Sequence, residues 1–479
     1  DYSDADYFDS LGLACMELER FDEAKEHFQR AIRLQPNLQS AHNNLGCVHR
    51  QQGNFEAAKL SFENALSISP SDLDVTNNLG VVLIRLGQAG RAIPLFQKVL
   101  KGMPDSAPVW RNLAISQERA GLLEEAEKNF LNSLKLNQAS PETHSFLGLL
   151  YRRQMQLTKA VKHLETAFNL EPRDEILEQL SSVLADKADY RTAIEKYEVL
   201  FGSGSTPRAT TISNFLFILN YVFWMSPRQI YERHAYWGRE LSKSVAKLPV
   251  ETISDPDVNE PLKIGYVSGD FKKHSVAYFI EPVLLHHDPT KANLFCYSNL
   301  KKDPDQVTDR LRCSVPHWRD VYEMSDQALA EQIRRDGIHI LIDLSGHSAE
   351  NRMGTFAAKP APVQATYLGY PNTTGIPEMD YRITDTVADP QGESDDIYTE
   401  KLERLASCFL CYKPADDAPP VSEAPCVQGD GVTFGSFNNF QKVGEGLKEM
   451  WADVLQGVPS SRLILKSKQL ADPELRNEL

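Results

Sequence analysis

A 34-residue period governs residues 1–201. Leu11-Gly12, Leu45-Gly46, Leu79-Gly80, Leu113-Ala114 and Leu147-Gly148 recur at that spacing, as do Ala24, Ala58, Ala92, Ala126 and Ala160. Phe28, Phe62, Phe96 and Phe130 keep the same register, with Leu164 in the fifth unit. Pro36, Pro70, Pro104 and Pro172 close the units, and Gln138 interrupts that series. A sixth unit with Leu180, Ala193 and Tyr197 is one residue shorter. Several columns in one register point to a stack rather than a single globular core. A unit this short cannot bury its apolar face alone and must lean on its neighbours. The small residues let paired helices approach closely, and the large ones fill the seams between units.

This spacing, with proline after the second helix, is the tetratricopeptide pattern, which predicts an α-solenoid with a concave inner surface. One further column stands out. Asn44, Asn78 and Asn112 directly precede the Leu of their units, with Ser10 and Phe146 at the outer positions. Asparagine is a middling helix former, and nothing local asks for it at mid-helix. A ladder of amides in a groove would hold the backbone of an extended peptide. The plainer alternative is a chance column of solvated polar residues.

Past residue 201 the pattern changes. Gly202, Ser203, Gly204, Ser205 and Pro207 mark a break, and residues 202–260 read as a helical connector. Its second helix carries Tyr231, Glu232, His234, Tyr236 and Trp237, where a histidine is by default structural. Residues 261–425 alternate strands with helices, which predicts a parallel, Rossmann-like sheet. Lys263–Val267 reads as a strand, Ser268-Gly269-Asp270 as its end, and Ser275 as the cap of a helix. Leu294–Tyr297 is a short strand, Ser325–Asp336 a helix, and Ile338–Leu344 an apolar strand running into Ser345-Gly346-His347. Gln364–Gly369 and Asp380–Thr384 are further strands. Near residue 430 the pattern restarts: Val432–Phe437, a polar loop, a helix and Arg462–Lys466 make the start of a second such lobe, 426–479. The absence of G-x-G-x-x-G argues against a dinucleotide cofactor.

Charge narrows the partners. The chain of 479 residues carries a net −15, which disfavours nonspecific binding to nucleic acid or anionic membrane. No run approaches the ~18 apolar residues of a membrane span. Seven scattered cysteines suit a reducing, intracellular setting. Cys408 and Cys411 form a C-x-x-C, but Cys408–Tyr412 reads as an apolar strand and no second pair completes a zinc site. Asp255-Pro256-Asp257 and Asp303-Pro304-Asp305 match the D-x-D of metal-dependent sugar transferases, yet each is centred on proline and reads as a turn. The chain opens at Asp1 without methionine, so a fragment with an incomplete second lobe is expected.

The motifs GYVSGDFKKHS, LIDLSGH, KPAPVQATYLGYPNTTG, DYRITD, EKLERL and FGSFNNFQKV, following such repeats, resemble the O-GlcNAc transferase family. That family includes the plant SPINDLY-type protein O-fucosyltransferases and bacterial members. The resemblance covers essentially the whole chain. It implies a GT-B glycosyltransferase with two Rossmann-like lobes, which moves a sugar from UDP-GlcNAc or GDP-fucose to Ser or Thr hydroxyls without a metal. It implies protein substrates held by the repeats, and allows oligomers through them.

Carried over by motif, His274 matches the family's active-site histidine and Asp270 the aspartate before it. His234, in ERHAYWG, matches a histidine on the connector helix. Leu368 and Gly369 match the loop touching the sugar, and Asn439 and Lys442 the residues that meet the diphosphate. A cation there would stabilise charge on the leaving group. Asp270 either positions its loop or relays the acceptor proton. Asn439, Ser275-Val276 and the short connector Pro414–Gly431 differ from the animal enzyme and resemble the SPINDLY-like and bacterial branch. A non-catalytic tetratricopeptide scaffold is the alternative, but a scaffold has no physical reason to keep a charged group at each strand end.

Overall fold

The computed structural model describes residues 4–204, 206–248, 260–301, 304–414, 418–424, 427, 431–477 and 479. It divides into two compact units, residues 1–187 with 468–479, and residues 188–467. Among the described residues no helix is long and apolar enough to cross a membrane.

The first unit is an array of antiparallel helix pairs: α1 (Ala5–Glu17) with α2 (Phe21–Leu34), α3 (Gln39–Gln51) with α4 (Phe55–Ile68), α5 (Leu73–Arg85) with α6 (Ala89–Gly102), α7 (Ala107–Arg119) with α8 (Leu123–Leu136), and α9 (Pro141–Arg153) with α10 (Leu157–Leu170). α11 (Asp174–Asp186) follows. The repeated columns explain the pairing. Phe28, Phe62 and Phe96 are wholly buried, and their rings lie where a Cβ on Gly12, Gly46 or Gly80 would stand. In the fifth pair Leu164 presses on Gly148 in the same way. A side chain at those glycines would press on the ring unless the ring shifts, and the fourth unit carries Ala114 in this column.

The second unit starts with α12 (Tyr190–Gly202), α13 (Ala209–Ile218) and α14 (Pro227–Ser244). α12 falls here although its sequence belongs to the sixth repeat, because its aromatics pack forward. Tyr197 and Phe201 meet Phe215 at ring distances of 5.7 and 5.1 Å, and Phe201 meets Trp237 at 4.3 Å.

The sheet follows, with strands β1 (Leu262–Ser268), β2 (Ala292–Ser298), β3 (His317–Asp320), β4 (Ile340–Asp343), β5 (Val363–Tyr367), β6 (Tyr381–Asp385) and β7 (Lys401–Leu405). Every pair is parallel, in the order β3-β2-β1-β4-β5-β6-β7. Helices α15 (Ser275–His286), α16 (Gln306–Ser314), α17 (Asp326–Asp336) and α18 (Met353–Ala357) connect the strands. Two buried clusters contribute to the core, one containing Val267, Tyr297, Leu341 and Phe356, the other Tyr266, Phe271, Ile280 and Leu344. The order reverses between β1 and β4. In such sheets ligands bind outside the carboxyl ends of the strands at that switch point.

Beyond the sheet, β8 (Thr433–Ser436) and β9 (Arg462–Leu465) form a separate parallel pair bridged by α19 (Glu445–Gly457). The segment with α20 (Pro473–Asn477) counts with the first unit, where the Asp472 carboxylate accepts from the Thr158 amide at 3.1 Å.

Candidate active site

Two loops flank the switch point. The first follows β1. Asp270 is buried, its own amide bonded to Ser268 Oγ at 2.9 Å, and its carboxylate lies 3.5 Å from both Lys272 Nζ and His274 Nδ1. His274, rather than Ser275, caps α15: its Nδ1 accepts from the Val276 amide at 3.3 Å. In a neutral ring this bond favours a bare Nδ1, against the pull of the Asp270 carboxylate 3.5 Å from the same nitrogen. A bare Nδ1 leaves the proton on Nε2, so the partly exposed imidazole offers a hydrogen-bond donor.

The second loop follows β4. The buried Asp343 carboxylate accepts from the Ser345 amide at 3.0 Å, the Gly346 amide at 2.8 Å and Thr366 Oγ1 at 2.8 Å. Burial pushes its pKa up to about 6 against those bonds. Gly346 sits at φ 54° with the Tyr370 side chain where a Cβ would stand. The loop after β5 meets it there. Leu368 adopts a left-handed φ of 54°, a costly conformation for a non-glycine residue. Its partly buried side chain packs against the cluster that contains Tyr367 and Leu344, and the Gly369 amide donates to the Tyr367 carbonyl at 2.8 Å.

Behind these loops lies a buried polar network. Nε2 of His347 donates to the Thr374 carbonyl at 2.7 Å, and its Nδ1 accepts from Ser213 Oγ at 3.0 Å. Nδ1 of His234 donates to the Ile230 carbonyl at 2.8 Å, and its Nε2 accepts from the Tyr370 hydroxyl at 2.7 Å. The Asn220 amide donates to the same hydroxyl at 3.0 Å. The Glu400 carboxylate holds the Thr374 amide at 2.7 Å together with the Thr373 and Thr374 hydroxyls. Burial lowers the pKa of His234 to about 3 and of His347 to about 4.

His234 is wholly buried with both nitrogens engaged, as its structural default on the connector helix led one to expect, and in this arrangement it positions the Tyr370–Gly375 loop. His347 and Tyr370 do the same work and were not foreseen. Their signal in sequence was only a polar residue just past a strand end.

Acid should therefore loosen this unit. Each histidine binds a proton near pH 6.5 in the unfolded chain but only near pH 3–4 when folded, so its contribution to stability falls as pH drops below 6.5. Asp343 opposes them between its ordinary value and about 6, binding a proton more readily when folded. The balance of two against one leaves a loss of roughly 1.4 kcal/mol per pH unit between pH 6 and 4. Urea midpoints measured at pH 7 and pH 5 check this. Equal midpoints would mean that the histidines are protonated in place.

The remaining expected residues fall elsewhere. After β8, Asn439 caps a turn over Phe440–Lys442, its side chain accepting from the Gln441 amide at 3.3 Å. Phe440 is buried, whereas Lys442 is exposed. No hydrogen bond or ion pair among the described residues joins Lys442 to Asp270 or His274. Asp305 caps α16, accepting from Val307, Thr308 and Lys273 amides, which fits the reading of that D-x-D as a turn. Asp303 and the whole of Asp255–Asp257 lie outside the described residues. The C-x-x-C is not a strand: β7 ends at Leu405, both thiols are free and exposed, and Phe409 is pinned by Asp385 and the Tyr367 hydroxyl at 2.9 and 2.7 Å.

The asparagine column has a local purpose that sequence did not show. Asn44 donates to Asp9 at 3.0 Å, Asn78 to Asn43 at 3.3 Å and Asn112 to Asn77 at 3.4 Å. Each amide reaches the residue that precedes the same column in the previous repeat. The ladder zips adjacent first helices together, and its members stay only half-buried.

A repeat array followed by a parallel α/β lobe, with a charged loop at the switch point, defines a class of proteins in which transferases are found. Comparison places the chain within that class. Residues 214–416 match the glycosyl transferase family 41 model, and residues 4–71, 43–109 and 83–150 match tetratricopeptide repeat models. The structure of a lysine-to-methionine mutant of the Thermobaculum terrenum O-GlcNAc transferase is 33% identical with a TM-score of 0.68, over 78% of this chain and 70% of that one. The chain belongs to glycosyl transferase family 41. The probable UDP-N-acetylglucosamine–peptide N-acetylglucosaminyltransferase SPINDLY of Arabidopsis thaliana is 42% identical over 268 residues, 55% of this chain and 29% of that protein. Its Solanum lycopersicum counterpart is 43% identical over 269 residues, 55% and 28%. The matched stretch thus spans under a third of the length of these curated relatives.

Proposed function

We propose that this protein transfers a sugar from a nucleotide-sugar, UDP-GlcNAc or GDP-fucose, to Ser or Thr hydroxyls of intracellular proteins engaged by its repeats. The observation carrying this is the β1–α15 loop at the switch point. It holds Asp270, Lys272 and the outward His274 imidazole beside the N-terminus of α15. The printed names of the plant and Thermobaculum relatives support the class of reaction.

In this reading the reacting hydroxyl attacks the anomeric carbon, its proton leaves to base, and the nucleotide diphosphate departs with the glycosidic electron pair. His274 donates from Nε2 to a bound oxygen. Asp270 holds that loop or takes the acceptor proton. Leu368 and Gly369 contact the sugar, and Asn439 and Lys442 receive the diphosphate. Lys442 stabilises the charge on the leaving group, without a metal ion. Mass spectrometry of a protein mixture incubated with the protein at its natural length and each donor tests it. A hexosamine or a deoxyhexose gained on Ser/Thr identifies reaction and donor together. No gain with either donor, at full length and with the fold intact, would favour the scaffold.

The repeats give a second test. Replacing Asn44, Asn78 and Asn112 together with Ala should weaken modification of protein substrates while sparing short peptides that reach only the active site. Each lost amide contact should cost about 0.5–1.5 kcal/mol. The melting temperature of the array should fall too, since each amide also bonds to the preceding repeat. Unchanged protein modification would remove the ladder from substrate binding and leave it the zipper alone.

A further inference from the structure

Helix α14 works on two faces. His234, Ala235, Gly238 and Leu241 are buried. Gln229, Glu232, Arg233 and Tyr236 follow the i, i+3, i+4, i+7 spacing of another face. They line a cleft of about 490 Å³ with Glu198, Phe201, Phe215, Met225 and Trp237. That volume lies within the range of built ligand pockets.

The cleft's chemistry suits a cation. Its walls are aromatic: Trp237 meets Phe201 at 4.3 Å and Tyr236 at 5.1 Å, with Tyr236 half exposed. Ring faces attract guanidinium and ammonium groups. The cleft already shows this with its own side chain, since the Arg233 guanidinium lies 5.8 Å from the Phe215 ring centre and pairs with Glu198 at 2.7 Å. Glu232 adds a second carboxylate, about as exposed as its surface partner Arg228 at 3.2 Å. The lining therefore carries two acids against one base, on a chain of net charge −15. Met225 offers a flexible wall for the alkyl stem of a long basic side chain.

We propose that this cleft docks a basic segment of a partner polypeptide by inserting an arginine or lysine side chain between Trp237, Tyr236 and the Glu198 and Glu232 carboxylates. Such an anchor sits on the helix that carries His234, so it would hold a bound protein beside the catalytic lobe without touching the sugar donor.

The test needs no sugar transfer, so its result is independent of the proposed reaction. A fluorescein-labelled Gly/Arg nonapeptide with three arginines is titrated with the protein at low ionic strength, followed by anisotropy. A twin with citrulline at the arginine positions serves as the uncharged comparison. Glu198→Gln with Glu232→Gln should weaken arginine-peptide binding by about tenfold or more, and so should Tyr236→Ala. These side chains are exposed or half exposed, so the fold should tolerate the changes, and thermal melting verifies it. Glu26→Gln with Glu165→Gln removes the same charge from exposed positions of the repeat unit and should leave binding unchanged. Equal weakening by the remote pair would mean a diffuse field rather than a site and would overturn the proposal. So would equal binding of the citrulline twin, or no binding of the arginine peptide.

Discussion

Lys442→Met is expected to slow sugar transfer by about 10²–10³-fold in single turnover at saturating donor. The turn that carries Lys442 is firmly built. Phe440 and Val443 are buried, the Phe440 amide donates to Ser467 Oγ at 3.2 Å, and the Lys442 amide donates to the Asn439 carbonyl at 2.9 Å. The backbone is held while the side chain stays exposed. A departing diphosphate gains charge as the glycosidic bond breaks, and an ammonium placed there acts where charge builds. Asp270→Asn and His274→Ala should cost less, about 10²-fold, with Asp270 the less replaceable because its carboxylate faces both Lys272 and His274. Near-normal turnover of Lys442→Met would remove the Asn438–Lys442 loop from the diphosphate site and weaken the second-lobe reading of residues 432–466.

Gly238→Val should destabilise the second unit by about 3 kcal/mol or more. A Cβ at Gly238 would stand on the carbonyl of Gly375, and a Cβ at Gly375 would stand on the carbonyl of His234. Two backbones touch there with no side chain between them. Gly375 also holds φ 71°, a conformation that favours glycine. Valine would push α14 off the Tyr370–Gly375 loop, parting His234 from the Tyr370 hydroxyl and leaving the buried His234 Nε2 without its partner, while the hydroxyl keeps Asn220 and the Leu216 carbonyl. The denaturant midpoint should drop, with the loss concentrated in residues 188–467. Gly446→Ala is the control. Nothing lies within 4 Å of its missing Cβ in α19, so stability should hold or rise by up to ~1 kcal/mol. A wild-type midpoint for Gly238→Val would show that the α14 contact is soft.

Much of this architecture was legible because period is a property of sequence. The 34-residue columns give the helix pairs, whereas the press of Phe28 on Gly12 within its own pair, beside the expected filling of seams between units, came from the structure. The alternation after residue 261 gives a parallel sheet, and the long motifs place Asp270 and His274 at a strand end. Strand β3 and helix α16 escaped, since His317–Asp320 and Gln306–Ser314 are short and polar and are ordered by capping and pairing rather than by an apolar stripe. What the tertiary structure alone decided is how polar groups are spent. His234 carries the same ring in sequence whether it meets a ligand or a core. It became a positioning residue because helix packing buried it against Tyr370. His274 became a donor because its Nδ1 was taken by the Val276 amide. The asparagine ladder became a zipper because each amide met the preceding repeat. Hydrogen-bond partners lie across the fold, so residue identity states what a side chain can do, and only its neighbours settle which of those things it does.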